Sequence, residues 1–108
     1  MRYLLEVSSH SLPGREQEYS RWYDETHLGE ILALPSFVAC ERFERLSPDG
    51  QEFVELVTLY EVEIDDPQTL LQSLAAATPT MRLTDAMDME SVRIAFLKPT
   101  GNGPRLAS

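Results

Sequence analysis

Cysteine is almost missing from this 108-residue sequence, with Cys40 its single representative. One thiol excludes an internal disulfide and any metal site built from several cysteines, and it fits a reducing, cytoplasmic setting. Basic residues are also scarce: 9 Lys and Arg stand against 18 Asp and Glu, for a net charge of −9. Phosphate backbones and anionic membrane surfaces are bound by clustered cations, so no nucleic acid and no membrane partner is expected. No apolar run approaches the ~20 residues that a spanning helix requires. The opening residues, with Arg2 and Glu6 close together, contain no signal-peptide hydrophobic stretch. A Gly-x-Ser-x-Gly nucleophile turn, a phosphate-cradling glycine loop and a dinucleotide fingerprint are all lacking. What remains as the expected partner is a small, neutral or apolar molecule.

What is present is an ordinary globular balance, 43% hydrophobic and 25% charged. It is enough for a single domain over residues 1–99, followed by a flexible tail at 100–108 where Gly101, Asn102, Gly103 and Pro104 show no periodicity. Residues 2–8 alternate, Tyr3, Leu5 and Val7 against Leu4 and Glu6, as a half-buried strand does. From Arg15 the period turns helical, and Tyr19, Trp22, Tyr23, Thr26 and Glu30 share a narrow arc. Beyond Gly29 the apolar positions Leu28, Ile31 and Leu32 spread around the cylinder, which predicts a break near Leu28-Gly29. Pro35 ends the segment.

Residues 37–46 and 53–64 read as a hairpin through the turn Ser47-Pro48-Asp49-Gly50. Asp65 or Asp66 then caps a helix that opens at Pro67 and runs to about Ala77. Residues 81–89 have no clear period, and residues 90–98 alternate once more. The order β-α-β-β-α-β predicts an α+β, ferredoxin-like architecture, a four-stranded antiparallel sheet with two helices on one face. The other face keeps large residues, so a homodimer through the sheet is expected.

Chemistry-bearing residues concentrate between Trp22 and Pro35. His27, with an ordinary pKa near 6.5, can donate or accept a proton at neutral pH, or it can cap the helix interruption. Glu30 lies near the centre of the aromatic arc; buried, it needs a partner such as Arg42 or His27, and turned by the break it faces solvent. Asp24, His27 and Glu30 follow i, i+3, i+6 spacing, but with no second cluster elsewhere no metal site is expected. Trp22, Tyr19 and Tyr23 supply an apolar wall with polar tips, as core or as pocket lining. Thr58 and Tyr60 share one parity of their strand, their hydroxyls either satisfied in the core or offered to a ligand. Arg42 and Arg93 can bind a ligand anion or pair across strands with Glu44, Glu55 or Glu61. Met81, Met87 and Met89 form either a soft lip to a cavity or simple filling, and Cys40 reads as a small buried hydrophobe.

The run Trp22-Tyr23-Asp24-Glu25-Thr26-His27-Leu28, then Ile31-Leu32-Ala33-Leu34-Pro35-Ser36-Phe37 and Arg42-Phe43, resembles the EthD-like branch of the dimeric α+β-barrel superfamily. Members of that branch carry an aromatic pair, a histidine four or five residues on, and a Leu-Pro-Gly-Phe step into the second strand. Here Ser36 stands where glycine is usual and Gly29 where proline is common. The resemblance implies a dimeric barrel with a pocket between sheet and helices. Its relatives include cofactor-independent monooxygenases, polyketide cyclases, lactone isomerases and haem-degrading enzymes, so the fold leaves the reaction open. Taken with the residues above, it leads to the expectation of an enzyme with no cofactor acting on a small aromatic or polyketide-like molecule, with His27 as acid/base oriented by Glu30 or Asp24 and with Trp22, Tyr23, Arg42, Thr58 and Tyr60 as substrate-binding residues. The alternative is a binding or stress-related accessory protein with the same pocket and no chemistry.

Overall fold

A computed structural model describes residues 1–101 and 103–107. The alternating first segment forms β1 (Arg2–Ser9), and the hairpin strands are β2 (Phe37–Leu46) and β3 (Phe53–Glu63). The last strand, β4 (Arg93–Leu97), is shorter than its alternating pattern suggests, because Met89–Ser91 is wound into a 3-10 turn. All pairings are antiparallel, in the order β2-β3-β1-β4. The hairpin turn works as its residues require. Gly50 takes φ 76°, which its missing Cβ permits, and its N–H donates to Ser47 O at 2.8 Å.

Register fixes which residues face the helices. Leu5 lies opposite Tyr60 on one side and Phe96 on the other, and Tyr3 opposite Val62, so one parity of each strand builds a shared apolar layer. Leu5, Tyr60 and Val62 are fully buried there, joined by Ile31, Ile64 and Leu70 from above or beside the sheet. Each such side chain stabilises the fold by about 1.5–3 kcal/mol relative to exposure. The second helix, α3 (Pro67–Ala77), is capped by Asp66, whose carboxylate accepts from Gln68 N at 3.1 Å, with Pro67 in the first turn. It lays Leu70 and Leu74 on the core.

The first helical segment departs from expectation. It is α1 (Glu16–Trp22), a π-helical turn (Tyr23–His27) and α2 (Leu28–Leu32), continuous and without the break placed at Leu28-Gly29. The widened turn lets Leu28 N–H donate to Tyr23 O, five residues back. A regular helix drifts by about 40° every four residues, which would carry the inward arc to Thr26 and Glu30. The π turn cancels that drift, so Tyr19, Tyr23, His27 and Ile31 stay in line over the sheet instead. Gly29 is an exposed helical residue with open space where a Cβ would stand.

Between α2 and β2, Ser36 is the one non-glycine residue among those described with positive φ, at 80°. Its carbonyl accepts from Glu63 N at 2.9 Å, tying the loop to the end of β3. No described helix is long and apolar enough to cross a membrane. The expectation of a flexible tail at 100–108 falls in part on positions 102 and 108, outside the described residues; Gly101 and residues 103–107 belong to no helix or strand.

Candidate functional site

Between the sheet and the helical layer lies a cavity of about 290 Å³. Its floor is Leu5, Val7 and Ser9 of β1, with Tyr60 and Ile94 from the flanking strands. Its helical wall is the in-line set that the π turn creates, Tyr23, His27 and Ile31, together with Trp22. The remaining wall comes from the segment after α3, where Met81, Leu83, Thr84, Met87 and Met89 face it. No Asp, Glu, Lys or Arg lines this space. A larger but open groove of about 810 Å³ runs along the outside of α1 past Arg15, Glu16, Glu18, Arg21 and Glu25. Its charges belong to a solvated helix face and converge on nothing.

His27 is the one side chain of the cavity lining that can take up a proton near neutral pH. Its ring stacks on Trp22 with centroids 4.5 Å apart and meets the edge of Tyr23 at 5.0 Å. Nδ1 is buried and has no hydrogen-bond partner among the described residues. Burial pushes the imidazole pKa below its ordinary 6.5, with the charge of Glu30 pulling weakly the other way. The ring is therefore held toward its neutral form, the form that accepts a proton.

The hydroxyls around it are acids too weak to ionise. Burial drives the Tyr60 phenol far above its usual value, and the neighbouring Tyr23 adds to the shift. The two oxygens lie 3.3 Å apart. Tyr19 is pushed up to about 12 by burial, and its hydroxyl is hydrogen-bonded to Ser9 Oγ. Neither Tyr60 nor Tyr19 can serve as a base near pH 7, and of the two only Tyr60 lines the cavity.

The other candidate residues are placed differently. Glu30 does not line the cavity: its carboxylate accepts from the backbone N–H of Arg82 at 3.2 and 3.0 Å, in place of the Arg42 or His27 considered from sequence. Arg42 pairs with Asp24 at 2.6 Å, not with a glutamate across the strand, and lays its guanidinium 4.5 Å over the Tyr23 ring. It sits behind the aromatic wall, outside the cavity, with Nε and Nη2 buried and unpartnered. Thr58 lies opposite Arg42 in the sheet, buried and also outside the cavity. Asp24 and Glu30 thus turn away from His27 to separate partners, and no cluster of three metal-ligating side chains occurs among the described residues. Cys40 is half-buried, and that burial raises its thiol pKa.

Trp22, Tyr23, His27 and Tyr60 are therefore brought together, whereas Glu30, Arg42 and Thr58 surround them at one remove. Ser9 and Leu83 were missed. Ser9 continues the parity of Leu5 and Val7, so extending the first strand by one residue would have found it. Leu83 lies in a segment without period, where sequence offers no signal.

No protein-family model matches the chain, and no curated protein matches it. Similarity appears among solved structures. An ethyl tert-butyl ether D (EthD) family protein of Bacillus halodurans C-125 superposes with a TM-score of 0.59 at 16% identity, over 93% of this chain and 100% of that one. A candidate monooxygenase of Shewanella loihica PV-4 superposes with a TM-score of 0.56 at 13% identity, over 94% of this chain and 99% of that one. At such identities it is the architecture that is shared: this chain has the EthD-like, ferredoxin-like α+β fold.

Proposed function

We propose that the cavity binds a small, uncharged aromatic or polyketide-like molecule and that His27 acts on it as a general base. The observation that carries this reading is a neutral imidazole with an unpartnered buried nitrogen at the wall of an apolar cavity. A charged ligand finds no counter-ion in the lining, whereas a weakly acidic C–H or O–H can pass its proton to the ring. The resulting carbanion or phenolate faces the imidazolium just formed, and the Tyr23–Tyr60 hydroxyl pair is placed to hold its oxygen. Proton removal of this kind opens cofactor-independent oxygenation as well as cyclisation or isomerisation. The likeness to a candidate monooxygenase supports the first. Glu30, off the cavity wall, supports the imidazolium through its field alone.

The second reading is a binding protein with the same cavity and no chemistry, and the same experiment separates the two. The native protein would be screened against neutral phenols and β-dicarbonyls by native mass spectrometry, then assayed for their conversion alongside His27→Gln. Binding retained and conversion lost in the variant supports the base. Binding without conversion in either protein leaves the binding reading, and no binding at all overturns both.

We further infer a homodimer through the uncovered sheet face, where Phe43 and Leu97 are 41% and 44% exposed.

A further inference from the structure

The wall of the cavity formed after α3 is anchored unevenly. Its later half, from Asp85, is held by backbone: Leu12 N–H donates to Ala86 O at 2.7 Å, Asp88 N–H to His10 O at 3.0 Å, and Ser11 bridges Met87. Arg15 adds a hydrogen bond to Asp85 O at 3.1 Å. The earlier half, Met81 to Thr84, is anchored at its start, where Met81 donates its N–H to Thr78 O at 3.1 Å and packs on the core, and beyond that it meets the first helical segment through the peptide groups of Arg82. Trp22 Nε1 donates to Arg82 O at 2.7 Å, and both Glu30 carboxylate oxygens accept from Arg82 N–H. Between them the two side chains hold a single residue by its carbonyl and its amide. Leu83, next along, is 65% exposed, so apolar packing contributes little there. Met81, Leu83 and Thr84, on either side of Arg82, all face the cavity.

We propose that Glu30 and Trp22 form a latch on Arg82 that sets ligand access to the cavity, with Glu30 a positioning residue acting through the Met81–Thr84 wall. The latch also communicates with the base, because Trp22 stacks on His27 with the same ring whose N–H it gives to Arg82. A ligand that presses on the indole shifts both contacts at once. The inference rests on the cavity reading given above.

The test uses Glu30→Ala, Glu30→Gln and Trp22→Phe in the full chain. Amide hydrogen exchange across 78–92 is followed without ligand, and stopped-flow fluorescence follows binding of N-phenyl-1-naphthylamine, a neutral apolar probe. Loss of hydrogen bonds to a charged acceptor should accelerate exchange at Arg82 about tenfold in E30A. Association and dissociation of the probe should rise together by a similar factor, leaving affinity nearly unchanged. E30Q, which keeps an acceptor oxygen, should restore most of both, and W22F should mimic E30A at Arg82. Unchanged exchange at Arg82 in E30A and W22F overturns the latch. Faster exchange with unchanged probe rates overturns its role in access. Faster exchange in E30A with no probe bound by any variant supports the latch and overturns the cavity reading instead.

Discussion

At the scale of single residues, two positions carry costs that can be measured. His27 is held neutral by burial, below its ordinary pKa. The unfolded chain therefore binds a proton that the folded one refuses, and stability falls as pH drops below about 6.5, levelling off below the depressed folded-state value. Denaturant titrations between pH 8 and 4 should show that slope in the wild type, and His27→Gln should flatten it. Ser36 holds the left-handed φ of 80°, a conformation that costs a residue with a Cβ about 1–2 kcal/mol. Ser36→Gly should raise stability by about 1 kcal/mol in thermal melts, provided Glu63 N–H keeps its bond to the residue-36 carbonyl. A neutral or lower melting temperature would show that the loop gains from serine in some other way.

At the scale of elements, the strands were readable from sequence because period two has no drift to accumulate. The parity of Tyr3, Leu5 and Val7 transferred directly to the buried face, and the cap at Asp66 with Pro67 followed from local chemistry. The first helix was not readable in the same way. Its one surplus residue is absorbed by a π turn, and nothing in Tyr23 to His27 announces a five-residue hydrogen bond. A helical wheel of fixed pitch therefore gave Thr26 and Glu30 the places that His27 and Ile31 occupy. His27 was still found, through its chemistry and motif, not through its phase. The partners of Glu30 and Arg42 needed three dimensions, since Arg82 lies 52 residues from Glu30 and Asp24 18 from Arg42. Gly29, once it is seen as an ordinary exposed helical position, becomes a site for improvement. Gly29→Ala should stabilise the protein by about 1 kcal/mol, read by chemical denaturation. A loss of stability would mean that the segment needs flexibility there after all.

At the scale of the whole molecule, the sheet has one covered and one open face. The open face mixes Phe43, Leu59 and Leu97 with an ion-pair cluster in which Arg45 meets Glu55 at 2.7 Å and Glu6 at 3.2 Å. A second copy packed there buries the apolar residues and leaves the arginine's partners in place. Sedimentation at micromolar concentration should return twice the 12.2 kDa chain mass. Phe43→Glu, adding a charge to that face, should shift the protein to the monomer without lowering its helix content. A wild type sedimenting at the chain mass would remove the dimer from consideration.

The strand order carries a last consequence, for motion. β4 is five residues long, pairs on one side with β1 alone, and presents the half-exposed Ile94 beside Val92 at the cavity. A short edge strand of this kind opens at a fraction of the free energy needed to unfold the molecule. The cavity therefore has a breathing seam at β4. Its amides should exchange well before those of β1 and β3, so that the sheet edge beneath the cavity loosens locally while the rest of the molecule stays folded.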